Sequence, residues 1–168
     1  MRPTLAHCRG AVHHRRVKIQ HGAVAIDVPK GWTDESTLLF VAPSTPLPTV
    51  NDAIRAGGSV LVTFRRAEGK APLDEAKAIL DGNLAGLRGN DAALVELERG
   101  ELDTGLGKGA TSLHRITLAN VPIRQLELVV VVGRTAVCAV ASCGEDEWTM
   151  RAPELRGTLA SLSIGPVT

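Results

Sequence analysis

Residues 122–142 read PIRQLELVVVVGRTAVCAVAS and contain two apolar segments separated by Gly133 and Arg134. Both segments are rich in Val and other residues that suit a pleated sheet, and a short Gly-containing link between two such runs is typical of a β-hairpin. The stretch therefore predicts two strands, 122–132 and 135–142, that pair in antiparallel fashion.

Two further strands are predicted immediately before this hairpin. ALVELERGEL at residues 93–102 and TSLHRITLA at residues 111–119 are separated from each other and from the hairpin by short links. Parallel neighbours need a long crossover, so strands this close together indicate an antiparallel meander.

Outward from the meander, the remaining elements are predicted from their spacing. A helix is expected at residues 72–88, where Pro72 suits a helix start and apolar residues recur at helical intervals, and another at about 151–163. Three strand regions precede the first helix: a hairpin at 17–28 with its turn at His21-Gly22, a strand at 37–42 and one at 57–66. This order predicts an α+β fold, an antiparallel β-sheet flanked by helices.

Size and composition set the class of protein. The 168 residues are 44% hydrophobic and 22% charged, with a formal net charge of +1, which is ordinary globular chemistry. Residues 1–16 are predicted to be a flexible basic tail, and residues 17–168 a single domain. No concentrated basic surface and few aromatic residues are present, so we expect no binding to nucleic acid.

The cysteines and the apolar runs bear on the compartment. Cys138 and Cys143 lie five residues apart on one predicted strand, which places their side chains on opposite faces, where they cannot form a disulfide. No run of 18 apolar residues is present, so no insertion into a membrane is expected. A reducing, cytoplasmic location is the simpler interpretation.

Sequence motifs for catalysis are weak. GLGKGAT at residues 105–111 departs from the phosphate-loop pattern at two positions and is interpreted as a flexible hairpin loop. His114 has no companion at metal-ligand spacing, and a structural or surface role is expected. No Ser or Cys stands in a nucleophile motif. We therefore expect no catalytic residue, no metal site, no cofactor and no enzyme.

The sheet surface is the remaining candidate for function. If Leu126, Leu128 and Val130 face the helices, the opposite face of the same strand is left open, and an open face of mixed character would mark a binding surface. The alternative is that another element or a second copy of the chain covers it. The predicted partner-binding residues on that face are Leu61, Thr63, Arg65, Gln125, Glu127, Val129 and Val131.

IDVPKGWTDESTLLFVAP at residues 26–43 resembles the opening of the DUF1795 domain, in which Pro29, Gly31 and Trp32 are the most specific residues. The order of the later strands and helices matches that family over about 17–164. The resemblance implies a Mog1/PsbP-like fold. We expect Trp32 to anchor the core behind the first hairpin rather than to contact a ligand.

The best-understood members of that family are bacterial effector-associated chaperones of the type VI secretion system. The resemblance implies a cytoplasmic, dimeric, non-enzymatic adaptor that shields N-terminal hydrophobic transmembrane helices of a secreted effector before loading. The alternative is a periplasmic envelope lipoprotein or binding module of the DcrB kind, with a lipid attached at Cys8. The wider fold also includes a Ran-binding protein and a photosystem subunit.

Overall fold

The computed structural model describes residues 16–21, 24–29, 37–41, 58–90, 94–118 and 120–163. The chain divides into two compact units, Met1–Asp34 and Glu35–Thr168. Most of the predicted tail and Trp32 lie outside the described residues, so the division into a tail and a single domain stays a prediction.

The first unit contains the predicted N-terminal hairpin. Strands β1 (Arg16–His21) and β2 (Val24–Pro29) pair in antiparallel fashion, with Ile19 opposite Ile26. The alternating apolar residues on each strand explain the pairing. His21, which was predicted to lie in the turn, is instead the last residue of β1 and lies opposite Val24, and Gly22 lies outside the described residues.

The second unit contains a six-stranded antiparallel sheet. Its strands are β3 (Thr37–Val41), β4 (Ser59–Arg66), β5 (Val95–Thr104), β6 (Gly107–Leu118), β7 (Val121–Val132) and β8 (Thr135–Gly144). They lie in the order β3-β4-β8-β7-β6-β5, and every neighbouring pair is antiparallel. The predicted α+β class with an antiparallel sheet is confirmed, including the β7–β8 turn at Gly133-Arg134.

Two helices complete the described part of this unit. Helix α1 spans Pro72–Asn90 and helix α2 spans Trp148–Ala160. The loop before α1 is tied to the first turn of the helix, because the buried carboxylate of Glu75 accepts hydrogen bonds of 3.0 Å from the backbone N–H groups of Gly69 and Lys70. Helix α2 starts earlier than predicted and contains Pro153 within its first two turns.

The two helices pack on opposite faces of the sheet. Leu126, Leu128 and Val130 of β7 pack with Leu155 and Leu159 of α2. The intervening β7 residues face α1, where the buried cluster consists of Ala67, Ala76, Leu80, Leu84, Ala110, Val129, Val131, Ala136 and Cys138. The expectation that both helices lie on one face is therefore wrong, because the uninterrupted apolar run at the end of β7 is buried on both sides.

The two strand cysteines confirm the predicted alternation. Cys138 lies in the cluster beneath α1 and Cys143 in the cluster beneath α2, and both are buried free thiols. Within the described residues, neither helix is long and apolar enough to cross a membrane.

The stretch at residues 105–111 is not the flexible loop that was predicted. Only residues 105 and 106 form the turn, and β6 begins at Gly107. Gly109 lies so close to β7 that a Cβ added there would stand 2.5 Å from Leu128 Cδ1 and 2.7 Å from the Val129 carbonyl oxygen. The glycine at position 109 therefore serves close packing of the backbone within the sheet.

Candidate functional site

Helix α1 covers only part of its face of the sheet. It lies on β6 and β7 and is tied to the edge strand β5 by ion pairs. Lys77 contacts Glu101 at 2.8 Å and Arg88 contacts Glu96 at 3.1 Å, while Asp81 pairs with Arg99. The helix is thus drawn toward the β5 side, which leaves β3, β4 and the part of β8 around Val140 without a helix on this face, among the described residues.

An apolar surface, here called the open strip, occupies this uncovered part. It consists of Leu39, Leu61, Thr63 and Val140. Leu39 on β3 lies opposite Leu61 on β4, and Leu61 lies opposite Val140 on β8, so the three side chains share one face. Leu39 is 47% exposed, and the other members of the strip are partly exposed.

The open strip has the width of a helix. Neighbouring strands lie about 4.8 Å apart, so the distance from β3 to β8 is about 10 Å. An α-helix with its side chains is about 10–12 Å across. The strip therefore offers room for one helix beside α1.

The flank of α1 that borders the open strip is defined by Asn83. This side chain contacts β4 and β7, whereas Lys77, Asp81 and Arg88 on the opposite flank contact β5. Helical spacing of three residues places Gly86 about 60° from Asn83, on the same side of the helix, whereas Gly82 faces solvent. A Cβ at either glycine would meet no atom within 4 Å. Small residues on such a flank allow another helix to approach closely.

Three of the seven predicted contact residues are buried. Glu127, Val129 and Val131 of β7 are 3%, 0% and 5% exposed and lie on the face that α1 covers. The expectation that they form an open face is wrong, because α1 occupies that part of the sheet. A continuous apolar run such as Leu128–Val131 is typical of a strand that is buried on both faces, and that signal was available in the sequence.

The other four predicted contact residues lie around the open strip. Leu61 and Thr63 are members of it, Arg65 is exposed at its β4 end, and Gln125 is partly exposed on β7. Sequence reasoning missed Leu39, which joins the strip through its pairing with Leu61. Whether these residues contact a partner stays a prediction.

Asn83 connects two predicted residues that lie on different strands. Arg65 Nη2 donates a 2.8 Å hydrogen bond to Asn83 Oδ1, and Asn83 Nδ2 donates to the Glu127 carboxylate. Burial raises the pKa of Glu127, although Asn83 and Arg65 favour its charged form. The hydrogen-bonded series Arg65–Asn83–Glu127 thus forms the boundary between the buried face under α1 and the open strip.

A second polar chain crosses the same face farther along the strands. His114 Nε2 lies 3.2 Å from Gln125 Oε1, and Gln125 Nε2 donates a 3.1 Å hydrogen bond to Ser142 Oγ. His114 is fully buried at 0% exposure. This series of hydrogen bonds runs from Ser142 on β8 through Gln125 to His114 beneath α1. It therefore connects the partly exposed Gln125 to the interior.

The titratable thiols are poorly suited to nucleophilic chemistry. Burial raises the pKa of Cys138, and it raises the pKa of Cys143 to about 11. Both thiols are therefore protonated near neutral pH, whereas the thiolate is the nucleophile. In the described ranges, no group of three His, Cys, Asp or Glu side chains is placed to hold a metal ion.

A cavity of about 350 Å³ lies on the other flank of α1, between this helix and the β5–β6 hairpin. Its polar lining includes Lys77 with Glu101, and Asp81 with Arg99. These four side chains are already paired with one another as salt bridges. The polar groups of this cavity therefore fasten the helix to β5.

Comparison with known proteins supports the fold. No family model matches this chain, and no curated protein sequence matches it. Among solved structures, PA94 of Pseudomonas aeruginosa, a protein of unknown function, aligns with a TM-score of 0.68 at 11% identity, covering 90% of this chain and 99% of PA94.

Two other solved structures share the architecture. The cyanobacterial PsbP protein of Synechocystis aligns with a TM-score of 0.54 at 11% identity, covering 94% of this chain and 96% of that chain. LpqN of Mycobacterium tuberculosis, which is involved in cell envelope biogenesis, aligns with a TM-score of 0.52 at 12% identity and 92% coverage of both chains. The Mog1/PsbP-like fold implied by the sequence resemblance is confirmed.

Proposed function

We propose that this protein is a non-enzymatic chaperone or adaptor that binds an apolar α-helix of a partner protein in the open strip. The observation that carries the proposal is the apolar surface beside α1 that no described helix covers and in which Leu39 is 47% exposed. The floor has the width of one helix, and the flank of α1 beside the strip offers Gly86 for close packing.

The energetics favour an apolar partner over a polar one. Each Å² of apolar surface removed from water contributes roughly 25 cal/mol, so about 300 Å² on the partner helix contributes roughly 7 kcal/mol before the costs of association. Arg65 and Gln125 at the borders of the strip supply polar groups that orient the bound helix. This is helix-in-groove recognition, with a sheet as the floor.

The partner we propose is a type VI secretion effector, whose N-terminal transmembrane helices would be shielded until loading. The support is the resemblance of residues 26–43 to the effector-associated chaperones, together with the fold. In this role the protein acts in the cytoplasm as a homodimer. A hydrophobic helix in water aggregates, and covering it on the open strip prevents that outcome.

The test uses a fluorescently labelled synthetic helix of 20 residues, made of Leu and Ala with flanking Lys, and measures its binding by fluorescence anisotropy. Leu39→Asp introduces a charge in the open strip and is expected to weaken binding at least tenfold. The matched control is Met150→Asp, because Met150 is 71% exposed on α2 and lies away from the strip. Equal binding by the two variants would refute the site.

A second candidate is a binding module of the bacterial envelope, favoured by the likeness of the fold to LpqN. In that case the mature protein carries a lipid on Cys8 and lacks the preceding residues. Cell fractionation followed by intact-mass analysis distinguishes the two candidates. A cytosolic protein that co-purifies with a large partner containing N-terminal hydrophobic segments supports the chaperone, and a lipidated protein in the envelope supports the alternative.

A further inference from the structure

His114 is a fully buried histidine with one ring nitrogen that lacks a hydrogen-bond partner. It lies on β6, on the face covered by α1, and its exposure is 0%. Because the amide nitrogen of Gln125 donates to Ser142, the amide oxygen of Gln125 is left to accept a hydrogen from His114 Nε2. Nδ1 has no partner, so the ring is neutral in this arrangement.

The charged groups around His114 come from three elements. Glu96 on β5 lies directly opposite His114 in the strand register. Arg88 approaches from the last turn of α1 and is bound to Glu96. On β7 the nearest carboxylate on this face belongs to Glu127, which is already engaged by Asn83. Glu96 is thus the acceptor closest in register to an imidazolium at position 114.

Glu96 also holds the end of α1 on the sheet. Its Oε2 accepts a 3.1 Å hydrogen bond from Arg88, whereas its Oε1 accepts hydrogen bonds from Arg99 Nε at 2.6 Å and from Ser112 Oγ at 3.2 Å. Arg88 is the basic residue in the last turn of the helix. A donor that replaces Arg88 at Oε2 of Glu96 therefore breaks the Arg88–Glu96 ion pair, which ties the last turn of α1 to β5.

We propose that His114 is a pH-sensitive latch: a proton taken from solvent onto Nδ1 creates an imidazolium that binds Glu96 in place of Arg88 and releases the last turn of α1 from the sheet. The inference does not depend on what the open strip binds. It rests on the buried, unpartnered Nδ1 and on the single carboxylate shared between β5, β6 and α1.

The direction of the pH response follows from burial. Burial lowers the pKa of His114 below its ordinary value near 6.5, although Gln125 and Glu96 oppose the effect. The closed state therefore excludes the proton and the released state accepts it. The equilibrium constant for release therefore rises as the pH falls through the pKa of His114 in the released state, by at most about tenfold for each pH unit as expected for one proton, and levels off once the closed state is protonated as well.

Hydrogen–deuterium exchange with mass spectrometry tests the latch on the full chain. Exchange is measured at pH 7.5, 6.5 and 5.5 and corrected for the intrinsic pH dependence of amide exchange. Peptides that contain Leu84–Asn90 are expected to exchange several-fold faster at pH 5.5 than at pH 7.5. Peptides from Trp148–Ala160 serve as the internal control and are expected to stay unchanged.

The variant His114→Gln carries no titrating ring and is expected to show no pH response in the last turn of α1. An equal response in this variant, or a flat response in the wild type, overturns the proposal. If the variant does not fold, NMR titration of the His114 Cε1–H signal in the wild type replaces it. The latch then requires that this signal and the α1 amides change with the same midpoint, and separate midpoints overturn it.

Discussion

The guanidinium of Arg65 on β4 donates a 2.8 Å hydrogen bond to the side-chain oxygen of Asn83 on α1. The amide group of Asn83 in turn donates to Glu127 on β7, so one helix residue joins two strands. The carboxyl group of Glu127 at the end of this row of hydrogen bonds is buried, and burial raises its pKa, so its ionisation is opposed by its surroundings and a change of one atom there is informative.

Replacing Glu127 with Gln is expected to raise the free energy of unfolding at pH 7 by about 1 kcal/mol, or the midpoint of thermal unfolding by roughly 2–4 °C. Glu127 has a raised pKa, chiefly through burial, so its contribution to stability is greatest below its unfolded pKa and is lost as the pH rises through its folded pKa. Glutamine removes the buried charge and can keep the bond to Asn83.

Thermal melts of wild type and Glu127→Gln between pH 4 and pH 8 check this prediction. The difference in melting temperature between wild type and Glu127→Gln should disappear toward pH 4, because there the carboxyl group of Glu127 is protonated in both the folded and the unfolded state. Asn83→Ala is the matched control and should lower stability, because it leaves Glu127 without its partner. If Glu127→Gln is less stable than wild type at every pH tested, burial of the Glu127 carboxylate does not destabilise the folded protein and the prediction is wrong.

Val129→Asp is expected to unfold the protein. Val129 is 0% exposed beneath α1, and an unpaired charge buried there costs about 4 kcal/mol or more, a large part of the stability of a domain. Leu61→Asp lies in the partly exposed open strip and should keep the fold. Urea unfolding followed by circular dichroism separates the two, and a stable Val129→Asp protein shows that α1 does not cover β7.

Gly109→Ala is expected to destabilise the sheet by about 2 kcal/mol or more, as overpacking does. The added methyl would overlap Leu128, the Val129 carbonyl and Val130, so the β6 and β7 backbones must separate. Chemical denaturation measures the effect. Wild-type stability in this variant is the result that contradicts the close approach of the two strands.

Gly82→Ala is expected to act in the opposite direction on stability. Gly82 is an exposed residue of α1 with open space around it, and alanine stabilises a helix interior by about 1 kcal/mol relative to glycine. If a partner helix packs against the Asn83 side of α1, Gly86→Ala should weaken binding of the synthetic helix, because the added methyl group lies on that side. Unchanged binding by the Gly86→Ala variant places the bound helix away from that side of α1.

Much of the fold could be predicted because the signals were local. The alternation in β4, the turn at Gly133-Arg134 and the apolar stripe of α1 each depend on neighbours in the sequence. The face on which a helix packs depends on long-range contacts instead. The sequence predicts Val129 and Leu61 on one open face. In the structure α1 packs over Val129, which is buried, and leaves Leu61 partly exposed.

The position of Asn83 shows why the site was harder to predict than the fold. In the sequence it is a polar residue beside the apolar stripe of a helix, and only the structure reveals that it reaches Arg65 and Glu127 on two strands. Leu39 was hidden for a similar reason, since its place in the open strip follows from the register between β3 and β4.

The two outer strands of the described sheet differ in chemistry. β5 carries Glu96, Glu98, Arg99, Glu101 and Asp103 and is interrupted by an irregularity between Glu96 and Glu98. β3 carries no charge and exposes Leu38, Leu39 and Phe40. Charged, irregular edges resist pairing with further strands, so among the described residues β3 is the outer strand whose chemistry suits pairing with an added strand. If two copies paired through their β3 strands, the outer strands of the joined sheet would both be the charged β5. Assembly would then stop at a dimer instead of continuing into a fibre.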